Sequence, residues 1–121
     1  MTHTQALEAL RDKVAAGEYP VAWRAFGGDE RILHFVHNAH NGSLDAAKAL
    51  HETVLGDGYA GEGFKYMVWG NGCASVWNVI TDERGGGRVD NPELHAVAPA
   101  RAWLLAILAA LIAQSKEAGN E

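Results

Sequence analysis

The sequence predicts an α+β fold in which a three-stranded antiparallel sheet is packed against helices, in the order α-α-α-β-β-β-α. Three observations predict it. From Trp103 to Ala113 there is no charged or polar residue, so this segment must be buried at the centre of the molecule. Three earlier segments carry apolar residues at helical spacing. Two stretches rich in aromatic and β-branched residues, Phe64 to Trp69 and Cys73 to Ile80, flank Gly70-Asn71-Gly72, which suits the positive φ angles of a hairpin turn.

The first helix is expected over Thr4 to Ala16, with Leu7, Leu10 and Val14 on one face and Gly17 as its stop. An irregular apolar stretch follows, with Pro20, Trp23 and Phe26, and Gly27-Gly28 ends it. Asp29 then caps a second helix through Asn38, whose core side is Ile32, Phe35 and Val36. Asn41-Gly42 breaks that helix and Ser43 caps the third, with Asp45 in its first turn favoured by the helix dipole. Leu44, Ala47, Leu50, Val54 and Leu55 form its apolar side.

Gly56, Gly58, Gly61 and Gly63 make a loop before the hairpin. In the second hairpin strand, Ala74, Val76 and Ile80 alternate with Cys73, Ser75, Trp77 and Val79, so both faces are largely apolar and each needs partial cover. Thr81 to Asn91 is a polar loop, and Pro92 leads into a short third strand at Glu93 to Val97 on the sheet edge, where proline is tolerated.

Pro99 opens the last helix. At about 100° per residue, Trp103, Leu104, Leu105, Ile107, Leu108, Leu111 and Ile112 fill one broad side, which is expected to grip the sheet. Ala102, Ala106, Ala109, Ala110 and Ala113 occupy the other side. That alanine side has three possible partners: solvent, another helix of the chain, or a second copy in a homodimer. The chain is expected to be one domain over 1–121, with Ser43 to Ala113 as its best-defined core and 115–121 as a disordered tail.

Composition narrows the function classes. Ten Lys plus Arg against 15 Asp plus Glu leave a formal charge of -5, which disfavours nucleic acid and anionic membranes. The apolar run in the last helix is short of the ~20 residues that cross a bilayer. Glu8, Arg11, Asp12 and Lys13 interrupt any signal-peptide core, so the expected compartment is the cytoplasm. Cys73 is the single cysteine, which rules out an internal disulfide and fits a buried free thiol.

The runs Asn41-Gly42-Ser43-Leu44-Asp45-Ala46-Ala47-Lys48-Ala49-Leu50-His51-Glu52 and Ala98-Pro99-Ala100-Arg101-Ala102-Trp103-Leu104-Leu105-Ala106-Ile107-Leu108 resemble the phage α/β/α sandwich domain, a family of small bacteriophage and prophage proteins of unknown function. The resemblance covers about Ser43 to Ala113 and is weaker over Leu7 to Phe26. Members commonly have Thr before the proline where this chain has Ala98, so a helix-capping side chain is missing here. The resemblance implies a sandwich-like fold and a phage or prophage origin in a bacterial host cell, and it supplies no catalytic residues.

His34, His37 and His40 are the candidate metal ligands, because they recur every three residues. Steps of three on a helix spread the set over about 120°, so His37 with one neighbour and a carboxylate from elsewhere is the combination to test. Otherwise these histidines line a polar helix face. His51, within the apolar side of the third helix, reads as a core-edge histidine with one satisfied nitrogen rather than a general base. Ser75 and Cys73 lack a nucleophile elbow, and neither glycine cluster carries the Lys-Ser/Thr ending of a phosphate loop. Trp23, Trp69, Trp77 and Trp103 are dispersed, each serving a local core rather than a shared platform.

The expected function is therefore a non-enzymatic phage or prophage accessory protein acting by protein contacts, with no catalytic residue and no cofactor, and with self-association through the alanine side as one version. The alternatives are a nucleic-acid-binding module with the topology of a double-stranded-RNA-binding domain and, behind it, a small metal-dependent or histidine-dependent enzyme. Arg101 is the only basic residue at the start of the last helix, where such RNA-binding domains meet phosphates.

Overall fold

A computed structural model describes residues 2–18, 22–56 and 99–117, together with the backbone of 64–68, 73–78 and 83–90. The residues with described side chains are 81% helical and contain no strand. Their elements are α1 (His3–Ala15), α2 (Trp23–Phe26), α3 (Glu30–His40), α4 (Leu44–Val54) and α5 (Pro99–Glu117).

The caps explain where the helices begin. The Thr2 hydroxyl accepts from Gln5 N at 3.1 Å while the Gln5 side chain accepts from Thr2 N at 3.0 Å, a reciprocal capping box that starts α1. Asp29 accepts from Arg31 N at 3.0 Å to start α3, and Ser43 accepts from Ala46 N at 3.1 Å to start α4. Gly17 (φ +75°) and Gly42 (φ +107°) take the left-handed backbone that turns the chain after α1 and after α3.

Helix α1 runs antiparallel to α5. The buried hydroxyls of Thr4 and Ser115 bond each other at one end, beside a Glu8–Lys116 ion pair at 3.6 Å, and Gly17 lies against the Arg101 guanidinium at the other. Helices α3 and α4 form a tight pair, and both also touch α5. Leu7, Leu10 and Val14 of α1, Val36 and Ala39 of α3, Ala47 and Leu50 of α4, and Leu104, Ile107 and Leu108 of α5 make one core. α5 is its axis, being apolar all round and buried nearly all round.

This corrects the expected fold class. An α+β architecture, with a three-stranded antiparallel sheet as the layer that helices cover and a sandwich-like outline, is not what the residues with described side chains form: they form a helical body. The physical reason is that an apolar helix requires apolar cover of any kind, and on α5 that cover comes from α1, α3 and α4 as well as from the extended backbone segments that also lie against it. The backbone at Phe64–Val68, Cys73–Asn78 and Glu83–Asp90 is extended and paired antiparallel in that order, but it supplies no described side chain to this core. Its third segment falls in the stretch expected to be loop, while the turn at Gly70-Asn71-Gly72 and the strand expected at Glu93 to Val97 lie outside the described residues.

Smaller corrections follow from the same packing. Trp23, expected in the core, is 56% exposed, because α2 is a single turn and it is Ala22 and Ala25 that turn inward. Leu44 shares the angular side of His51 and Leu55 yet is 47% exposed, so cover on that side stops short of the start of α4. Residue 115 belongs to the core and not to a disordered tail, since α5 continues to Glu117 and Ser115 is buried against α1. The core also draws on α1, outside the Ser43 to Ala113 span. The side chains of Cys73, Ser75 and Trp77, and residues Trp69 and Gly58 to Gly63, lie outside the described residues.

Candidate functional site

Two histidines are drawn into the helical core, and each is held by α5. His51 is fully buried, and its Nδ1 accepts a hydrogen bond from Trp103 Nε1–H at 3.4 Å, with the ring planes tilted by 54° and centroids 5.9 Å apart. The Trp103 bond makes Nδ1 the acceptor and so leaves the proton of the neutral ring on Nε2. This is a histidine locked by packing, a poor shuttle for protons from solvent.

His40 ends α3 and is 6% exposed. Its carbonyl accepts two bonds from Arg101, from Nε at 3.0 Å and from Nη2 at 2.9 Å. Gly17, at the end of α1, places the position of a missing Cβ 3.6 Å from Nη1 of the same guanidinium. Arg101 therefore stands where the C-terminal ends of two helices meet, and both present the partial negative charge that favours a cation. The His40 ring fares differently: its Nδ1 is buried with no hydrogen-bond partner. Burial first, then the positive Arg101 and then His37, push its pKa below the ordinary value of 6.5, so the neutral ring is the form the fold accepts.

The candidate metal ligands are divided by the same packing. His34 is exposed, His37 is half-buried and His40 is buried. Among the described residues no group of three His, Cys, Asp or Glu side chains converges on a point where an ion could sit.

The alanine side of α5 is largely closed. Ala102 and Ala106 are fully buried and Ala110 is 1% exposed, while Ala109 and Ala113 are half-buried. Of the three partners expected for this side, solvent, another helix of the chain or a second copy, Ala102, Ala106 and Ala110 take their cover from this chain, and a second helix could reach those three only by displacing it.

On the outer surface, Trp23 is a large apolar side chain left open. The Arg24 guanidinium lies 5.1 Å from the centre of its ring, and the pair borders an open cavity of about 440 Å³ that Ala6 and Gly27 also line. Sequence reasoning placed Trp23 in a local core and did not find the role of Arg101. The bond from Arg101 to His40 spans 61 positions, and nothing local marks either end of it.

Comparison with protein-family models, with curated proteins and with solved structures finds no match to this chain. Among the described residues no helix is long and apolar enough to cross a membrane.

Proposed function

We propose that this chain is a small, non-enzymatic phage or prophage accessory protein that acts by protein contact in the cytoplasm of a bacterial host, with Trp23 as its docking residue. The observation that supports this reading is the exposed Trp23 ring with Arg24 beside it, at the edge of an open cavity. Tryptophan and arginine are the side chains that most often dominate protein interfaces, because one supplies apolar area and the other a charged fork. The partner that fits is a protein segment bearing an apolar side chain for the cavity and a carboxylate for Arg24. The phage setting rests on the resemblance of Asn41 to Glu52 and Ala98 to Leu108 alone.

The nucleic-acid alternative finds no support at its expected contact point. Arg101, the one basic side chain among the described residues at the start of α5, is engaged with the His40 carbonyl, and the net charge is -5. Photo-cross-linking tests the contact reading. A photoreactive amino acid at position 23 should give a discrete adduct with a second protein, abolished by Arg24→Glu, whereas the same group at exposed Glu52 should not. Identical adduct patterns from both positions would overturn the assignment. Position of the gene among capsid, tail, lysis or replication genes tests the phage setting separately.

A further inference from the structure

We propose that His40 is an acid-sensitive latch between the end of α3 and the start of α5, closed while its ring is neutral and opened by a proton. Three features place it there. The residue is 6% exposed, its Nδ1 is buried without a partner, and its carbonyl is the acceptor for both Arg101 bonds. A proton on that ring creates a buried cation with no acceptor for the new N–H, next to a guanidinium that cannot give up its own charge.

The surrounding charges offer no relief among the described residues. Along α3 the nearest titratable group is His37, and from α5 it is Arg101, both of which oppose a positive ring. The charged residues of α4, namely Asp45, Lys48 and Glu52, are exposed, as are Lys13 and Glu18 at the end of α1 and Asp29, Glu30 and Arg31 at the far end of α3. His51 is occupied with Trp103. The protonated ring must therefore swing to water. A ring that leaves its buried seat takes away the packing that holds the residue whose carbonyl anchors Arg101, and this loosens the turn at Asn41, Gly42 and Ser43 whose amides bond back to His37, Ala39 and Asn38. The far end of the α1–α5 contact, where Thr4 meets Ser115, has no buried histidine among the described residues and should stay closed.

Two measurements on the intact chain test this. A histidine-resolved NMR titration should place the His40 midpoint below that of an ordinary histidine, and Arg101→Gln should raise it. Amide exchange, corrected for its intrinsic pH dependence, should accelerate about tenfold at Asn41, Gly42 and Ser43 between about pH 7.5 and 5, with Leu7 and Leu10 unchanged. His40→Gln should abolish that response. A His40 midpoint at or above the ordinary value overturns the proposal. So does exchange at the turn that is insensitive to acid or that rises only in step with α1, or an acid response that survives in His40→Gln.

Discussion

A serine hydroxyl decides where α4 begins. Ser43 satisfies the Ala46 amide, one of the donors a helix start leaves unpaired, and Asp29 does the same for Arg31 at the start of α3. Ser43→Ala is expected to lower stability by about 1 kcal/mol, read as a shift in the urea midpoint with the slope of the transition unchanged. An unmoved midpoint would show that the hydroxyl is replaced by water at no cost. Arg101 acts at the same scale but across 61 positions, bonding the carbonyl at the end of α3. The two kinds of cap differ in legibility for that reason. Ser43 and Asp29 were readable because a cap bonds its own chain two or three positions on. His40 and Arg101 were not, because their pairing depends on the path of the chain between them.

Helix α5 shows what an all-round apolar element does. Its bulky side is covered and so are Ala102, Ala106 and Ala110 on the other, so these three small side chains mark close approach within the chain. Ala106→Leu should then cost about 1–3 kcal/mol through overpacking, measured by thermal or urea unfolding. Ala106→Glu should unfold the chain outright, seen as loss of helical circular dichroism, because it buries a carboxylate without a partner. A folded Ala106→Glu protein that merely changed its association state would restore the alanine side as an interface. Helix α2 is the opposite case, a single turn too short to bury two sides, and it leaves Trp23 outside.

For the molecule as a whole, His40 couples stability to pH. The folded state holds the ring neutral below the ordinary value of 6.5, so in acid the unfolded chain binds the proton first. Stability is thus full above that value and is lost as pH falls through it, down to the lowered value of the folded state. Urea midpoints taken from about pH 7.5 to 5 should decline, and the decline should shrink in His40→Gln. Equal slopes in the two proteins would assign the effect to other histidines, with buried His51 the first to examine.

The amino-acid order alone sufficed for the breaks at Gly17 and Asn41-Gly42, for the caps at Asp29 and Ser43, and for the burial of the last helix. All of these are settled by hydrogen bonds and apolar spacing within a few residues of one another. Tertiary structure decided what covers that helix, where the ring of His40 is held, and that Trp23 and not Leu10 is left in the open. Periodicity names the face that must leave water, but any apolar surface of the right shape can meet it. Which one does is a matter of how distant segments pack, and here helices α1, α3 and α4 meet α5 together with the paired extended segments.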